Sequence, residues 1–108
     1  VNWFRQDKDG KFLWPGFGDN LRVLSWVIER CEGRAEGRET PIGILPRPED
    51  IDLHGLVLSN DALHQLLDLD TAAWHAEIED IGQYLEGYGQ RTPDALRAKY
   101  QQVKKALG

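Results

Sequence analysis

The chain has 108 residues and a formal net charge of −5, from 18 acidic and 13 basic side chains. This length allows one domain with a core of modest size, and the negative balance argues against general binding to nucleic acid or to an anionic membrane. The only cysteine, Cys31, cannot form an internal disulfide, which favours an intracellular, reducing compartment. No secretory signal or apolar run of membrane length occurs. Because the chain lacks Met and begins with Val1, we expect a fragment of a longer protein.

Large aromatic side chains are concentrated near the amino end, at Trp3, Phe4, Phe12, Trp14 and Phe17. The charged residues 7–11, which include Gly10, predict an exposed turn between two aromatic segments, in a hairpin or a long loop. Further along, the glycines at 16 and 18 allow a ligand or another segment to approach the backbone closely. The rings themselves are compatible with a packed core or with stacking on a flat ligand such as a purine base.

A helix is predicted from Leu21 to about Cys31, because apolar residues recur there at steps of three and four. Asp19 or Asn20 can cap its start, and Gly33 lies where a carboxy-terminal cap is expected. The apolar face is broad, which predicts packing on more than one neighbour. The exposed N–H groups at the helix start could also donate hydrogen bonds to a carbonyl or an anion.

The middle of the chain, residues 34–58, predicts little regular structure. Residues 33–40 are polar and glycine-containing, as in a mobile surface loop. Ile42-Gly43-Ile44-Leu45 lies between prolines and predicts a short edge strand at most. Residues 49–58 have no clear period and are interpreted as coil with one helical turn at most.

Residues 59–108 predict three helices. Ser59-Asn60-Asp61 offers a cap for a short helix through about Leu67, and Asp70-Thr71 caps a longer one. Thr92-Pro93 starts the last helix, with Pro93 at its first helical position. The two longer helices carry apolar stripes at helical spacing, made of Trp74, Ile78, Ile81, Leu85 and Tyr88, and of Leu96, Tyr100, Val103 and Leu107. Two such stripes facing each other predict an antiparallel helical hairpin.

Together these elements predict a mainly helical α+β fold. It contains an aromatic loop with a minor strand pair, near the amino end and around residues 42–45, followed by one central helix and the carboxy-terminal hairpin. We treat residues 1–108 as a single segment, divided into a loop (1–20), a helix (21–33), a loop with a short strand (34–58) and helices (59–108).

No catalytic or metal-binding pattern is evident from the residues. The three histidines, His54, His64 and His75, do not fall at a metal-ligand spacing. Gly16-Phe17-Gly18 lacks the third glycine of a dinucleotide fingerprint, and no glycine-rich loop ends in Lys-Ser or Lys-Thr as a phosphate loop requires. The carboxylates at 77, 79, 80 and 86 are typical of a solvated helix face. Ser25 and Ser59 have no evident histidine and acid partners.

The aromatic segment resembles the guanine-binding loop of GTP-dependent phosphoenolpyruvate carboxykinases, over the run Trp3-Phe4-Arg5-Gln6-Asp7-Lys8-Asp9-Gly10-Lys11-Phe12-Leu13-Trp14-Pro15-Gly16-Phe17-Gly18-Asp19-Asn20. The likeness continues more weakly through residues 22–26, 40–43, 52–56 and 74–85, and so covers the carboxy-terminal end of such an enzyme. Asp19 is a departure, since Glu is more frequent at this position of the family. The change shortens the side chain but keeps its charge.

The resemblance implies that Phe12 and Phe17 sandwich the guanine and that Phe4 and Trp3 complete the hydrophobic pocket. The turn Phe17-Gly18-Asp19-Asn20 would read the edge of the base, partly through backbone groups and partly through the Asn20 side chain. Trp14 is not among the rings that the family places on the base. We therefore assign Trp14, together with Trp26 on the predicted helix, to the core.

The resemblance also implies a parent enzyme that converts oxaloacetate and GTP to phosphoenolpyruvate, CO2 and GDP in gluconeogenesis. Such an enzyme uses Mn²⁺ or Mg²⁺ and is expected to be monomeric and cytoplasmic. The partners of this chain would be GTP or GDP and the remainder of the enzyme, with no nucleic acid or membrane. The phosphate loop, metal ligands, substrate arginines and reactive cysteine motif are absent here, so the chain would be catalytically inert by itself. The alternative is a non-enzymatic helical interaction module, in which the hairpin of residues 74–107 docks on a partner and the aromatic loop is a plug.

Overall fold

A computed structural model describes residues 2–108; Val1, the first residue of the predicted loop 1–20, lies outside the described residues. The mainly helical α+β class is confirmed. The elements are α1 (Asn20–Cys31), β1 (Arg38–Thr40), β2 (Gly43–Leu45), α2 (Asn60–Leu67), α3 (Thr71–Glu86) and α4 (Asp94–Leu107), with short 3-10 turns at Phe17–Asp19, Pro48–Asp50 and Gly89–Arg91.

The chain forms two compact units. The first extends to Glu39 and also includes Ile44–Asp68, and the second comprises Thr40–Gly43 and Leu69–Gly108. The first unit buries Leu13, Trp14, Trp26, Ile51 and Leu63, and the second buries Ile78 and Leu107. None of the helices within residues 2–108 is long and apolar enough to cross a lipid bilayer.

The strand pairing differs from the prediction. The strand expected around residues 42–45 is present as β2, but it pairs with β1 in the segment predicted as a mobile loop. Near the amino end, a single antiparallel bridge joins Gln6 and Phe12 in place of a strand pair. The turn between β1 and β2 explains the difference, because Thr40 Oγ1 donates to the Gly43 carbonyl at 2.6 Å and Gly43 adopts φ 127°.

Helix α1 begins at Asn20 and is followed by Gly33, whose N–H donates to the Arg30 carbonyl at 3.2 Å with φ 72°. The predicted carboxy-terminal cap is therefore confirmed. The predicted broad buried face is wrong for this chain, since Trp26 is the only buried residue of α1. The described residues cover one side of the helix and leave an apolar stripe exposed, at Leu21, Leu24, Val27 and Ile28.

The caps predicted for α2 and α3 are confirmed. Ser59 Oγ accepts from the Ala62 N–H at 3.1 Å, and Asp70 Oδ1 accepts from the Ala73 N–H at 3.0 Å. Each bond satisfies one backbone donor that the first helical turn leaves without a partner.

Helices α3 and α4 pack against each other as the predicted antiparallel hairpin. Gly82 is buried where the two helices meet, and the Tyr100 ring lies directly over it. Two members of the predicted stripes do not take part, because Tyr88 and Leu96 are each 51% exposed. Tyr88 instead meets Tyr84 edge to face, with the two hydroxyl oxygens 2.8 Å apart.

The link between α3 and α4 is held by Thr92. Its hydroxyl donates to the Leu85 carbonyl at 2.8 Å, and Thr92 is buried. Helix α4 begins after Pro93, one residue later than predicted, and Pro93 occupies the cap position. The hydroxyl therefore adds a second donor to the Leu85 carbonyl, which also accepts from the Tyr88 N–H at 3.2 Å where α3 ends.

Candidate functional site

The aromatic side chains of the first unit divide into buried and exposed rings. Trp14 is buried, and Trp3 is half-buried with its ring centroid 6.0 Å from that of Trp14 at a tilt of 46°. The three phenylalanines are exposed by 74% at Phe4, 53% at Phe12 and 92% at Phe17. Rings that a packed core would cover are therefore open to a ligand.

The loop between the two aromatic segments brings Phe4 and Phe12 together. Asp7 Oδ1 accepts from the N–H groups of Asp9 and Lys11, both at 2.9 Å, and the loop closes through Gly10 at φ 80°. This Asx-type turn places the two rings edge to face, 6.1 Å apart between centroids. Phe12 is therefore paired with Phe4 in this structure.

Phe17 is presented by the turn that precedes α1. Gly16, at φ 140°, reverses the backbone after Pro15, and its carbonyl accepts from the Asp19 N–H at 3.1 Å. The next N–H, that of Asn20, donates to the Phe17 carbonyl. Phe17 thus begins a 3-10 turn at the surface, immediately before the start of α1.

Neither predicted cap residue caps α1 with its side chain. Asp19 Oδ1 instead accepts from Arg22 Nε at 3.0 Å, and Asn20 Oδ1 accepts from the indole N–H of Trp14 at 2.9 Å. Arg22 also donates to the Asp52 carbonyl at 2.9 Å, which ties the start of α1 to a later segment of the same unit. The prediction of Trp14 and Trp26 as core residues is confirmed, while the hydrogen bond from Trp14 to Asn20 crosses a Pro-Gly turn and was not predicted.

An open groove of about 430 Å³ lies beside the start of α1, and nine residues line it: Gly18, Asp19, Leu21, Arg22, Ser25, Trp26, Glu29, Asp50 and Asp52. Gly18 and Asp19 are the only members of the predicted site in that lining. The sequence did not point to Ser25 or Glu29, although both follow Leu21 at successive steps of four along one helix face.

The groove is mainly acidic. Asp50 remains ionised there because Arg47 donates to both of its carboxylate oxygens at 2.8–3.0 Å, which lowers the pKa of Asp50 and raises that of Arg47. Against four carboxylates, at 19, 29, 50 and 52, the lining offers one cation, Arg22. This surface disfavours a polyanion such as a triphosphate.

Within residues 2–108, no three His, Cys, Asp or Glu side chains are close enough together to hold a metal ion. The described residues therefore do not fit the Mn²⁺ or Mg²⁺ that the resemblance implies.

Comparison with known proteins gives the family. The sequence model of the phosphoenolpyruvate carboxykinase C-terminal P-loop domain matches residues 1–106. The chain belongs to the GTP-dependent phosphoenolpyruvate carboxykinase family. Among curated members, the chain is 46% identical to phosphoenolpyruvate carboxykinase (GTP) of Renibacterium salmoninarum over 108 residues. The corresponding proteins of Paenarthrobacter aurescens and Chlamydia muridarum are each 44% identical over 108 residues.

These alignments cover 99–100% of the chain but 18% of each relative. The chain thus corresponds to a limited part of a carboxykinase. The family match includes the aromatic segment at residues 3–20 and the helical hairpin alike.

Proposed function

We propose that this chain supplies the guanine-base pocket of a GTP-dependent phosphoenolpyruvate carboxykinase. The enzyme would convert oxaloacetate and GTP to phosphoenolpyruvate, CO2 and GDP in gluconeogenesis. One observation carries the proposal: in a chain of this family, the rings of Phe4, Phe12 and Phe17 are exposed, and Phe17 lies immediately before the start of α1. Exposed rings at a helix start can stack on a base and leave nearby donors for its edge.

Phe12 and Phe17 are proposed to sandwich the guanine. Stacking of a base on an aromatic side chain contributes about 1–3 kcal/mol, and the 92% exposure of Phe17 leaves its ring available. Phe4, at the edge of the Phe12 ring, and Trp3, supported by the buried Trp14 ring, would form the apolar wall.

Recognition of the base edge is assigned to the turn of residues 17–20. The backbone N–H groups of Asp19 and Asn20 already donate within the turn, so we assign the edge of the base to the other backbone groups of the turn and to the Asn20 side chain. Gly18 and Asp19 would border the base where the groove begins. A site that hydrogen-bonds one base edge rejects analogues that leave its polar groups unpaired.

Chemistry at the phosphates is assigned to the remainder of the enzyme. The groove beside the turn is acidic, the sequence has no Lys-Ser or Lys-Thr phosphate loop, and the described residues lack a fitting metal site. Residues 1–20 would act as the base-binding loop of one segment spanning 1–108, while Mn²⁺ or Mg²⁺ and oxaloacetate bind elsewhere. We further propose a monomeric, cytoplasmic enzyme whose partners include neither nucleic acid nor membrane, and a chain that is inactive without the rest.

The second candidate is a non-enzymatic interaction module. The exposed apolar stripe of α1, at Leu21, Leu24, Val27 and Ile28, favours it because a stripe of this kind usually packs against another surface. In the first proposal, the covering surface would be the rest of the carboxykinase. Selectivity for guanine separates the two candidates, since a plug has no reason to prefer one purine.

The test compares GDP with ADP. The chain is titrated with each nucleotide while tryptophan fluorescence and heat are recorded, and the same comparison is made with the full-length enzyme. We expect GDP to bind more tightly than ADP and Phe17→Ala to weaken GDP binding. Equal affinity for both nucleotides in the full-length enzyme would contradict the proposal and favour the interaction module.

A further inference from the structure

The buried ring of Trp14 makes a directional contact with Asn20. Its indole N–H donates to Asn20 Oδ1 at 2.9 Å, and Trp14 is 6% exposed. An indole nitrogen can only donate, and so can the amide nitrogen of asparagine. The atom that faces Trp14 must therefore be the amide oxygen, and this contact sets the orientation of the amide group.

The consequence is that the amide nitrogen of Asn20 points away from Trp14. Within residues 2–108, Asn20 Nδ2 donates no hydrogen bond, whereas its backbone N–H is bonded to the Phe17 carbonyl. Asn20 is half-buried and lies three residues after the exposed Phe17. Its amide N–H groups are therefore available as donors next to the turn that presents Phe17.

We propose that Trp14 is a positioning residue for base selectivity: by holding the Asn20 oxygen, it forces the amide to present its N–H groups to the base. This inference rests on the proposed function, in which Asn20 meets the base edge. A donor matches the 6-carbonyl oxygen of guanine and opposes the 6-amino group of adenine, which also donates. Without Trp14, the amide could rotate by a half-turn and accept from adenine.

The test uses the full-length carboxykinase that carries this chain. Trp14→Phe retains a buried aromatic ring and removes the indole N–H. We expect the ratio of kcat/KM for GTP to that for ATP to fall by about tenfold, as expected when a polar partner is lost from a partly buried site. The ratio of GTP to ITP should stay constant, because inosine keeps the 6-carbonyl and lacks only the 2-amino group.

Trp26→Phe is the matched control. Trp26 is also buried, at 7% exposure, and its indole N–H donates to the Glu36 carbonyl at 3.0 Å without contacting Asn20. This variant should leave the GTP to ATP ratio unchanged, while any general loss of stability would lower activity with all three nucleotides alike. If Trp14→Phe does not fold, replacement of Trp14 by benzothienylalanine, which keeps the shape and lacks the N–H, gives the same comparison.

Asn20→Asp separates this inference from the function on which it rests. The variant keeps an oxygen for Trp14 and replaces the proposed donor by an acceptor, so GTP and ITP should lose more activity than ATP. If Asn20→Asp changes the ratio of kcat/KM for GTP to that for ATP and Trp14→Phe does not, the role of Trp14 is overturned and the guanine pocket is still supported. No change in either variant would overturn both, and a change in Trp14→Phe alone would also refute an effect transmitted through Asn20.

Discussion

Gly82→Ala tests the packing of the α3–α4 hairpin, because two known effects oppose each other there. An added Cβ would overlap Tyr100 Oη and lie 2.8 Å from Cζ and 3.1 Å from Cε2. Overpacking of this kind costs about 1–3 kcal/mol, while replacing glycine by alanine within a helix gains about 1 kcal/mol. We therefore expect a net loss of about 1 kcal/mol in the free energy of unfolding.

The assay is urea and thermal unfolding of the 108-residue chain, in which a loss of about 1 kcal/mol lowers the melting temperature by roughly 4–8 °C. Tyr100→Phe removes the closest atom, so Gly82→Ala should cost less in that background than in the original chain. Gly87→Ala is the comparison variant, since its Cβ would lie 3.3 Å from the Tyr84 carbonyl oxygen. A stabilised Gly82→Ala variant would refute the argument, because helix propensity would then outweigh packing.

Three further changes test separate parts of the chain. Thr92→Val should lower the free energy of unfolding by about 0.5–1.5 kcal/mol, measured in urea, because the Leu85 carbonyl loses the Thr92 hydroxyl and keeps the Tyr88 N–H at 3.2 Å. Asp50→Asn should reduce the dependence of the free energy of unfolding on pH in the acid range, because Arg47 lowers the pKa of Asp50 in the folded state. The stabilisation by the ionised Asp50 is fully present above the unfolded pKa of about 3.9, and it is lost as pH falls through the lower folded pKa. Phe17→Ala in the full-length enzyme should raise the KM for GTP by roughly tenfold, within the 1–3 kcal/mol of one stacked base.

Each of these predictions has a result that contradicts it. An unchanged urea midpoint for Thr92→Val would mean that the Tyr88 N–H alone is sufficient for the Leu85 carbonyl. Thr71→Val, at an exposed position, is the comparison for the loss of a hydroxyl. Acid unfolding that is the same with and without the Asp50 carboxylate would show that its pair with Arg47 has no net effect. A KM for GTP that does not respond to Phe17→Ala would remove that ring from the proposed pocket.

Local patterns were sufficient for much of the helical framework. Ser59 and Asp70 cap their helices as predicted because capping depends on one side chain and an N–H three residues later. Ile78 and Leu107 are buried in the hairpin, as their stripes predict, because helical spacing brings the residues of a stripe to one face. The resemblance at residues 3–20 likewise pointed to the family, which the match over residues 1–106 confirms.

Other features depend on contacts that apolar periodicity does not encode, whether the partner is near or distant in sequence. The stripe of α1 has the same helical spacing as the stripe of α3, in which Ile78 is buried, yet Leu21 is 67% exposed because no described residue covers that side. β1 needed the turn at residues 40–43 to bring it beside β2. Gly82 became a contact point only when Tyr100 packed over it, and the amide of Asn20 acquired one orientation only when the fold placed the donor of Trp14 beside it.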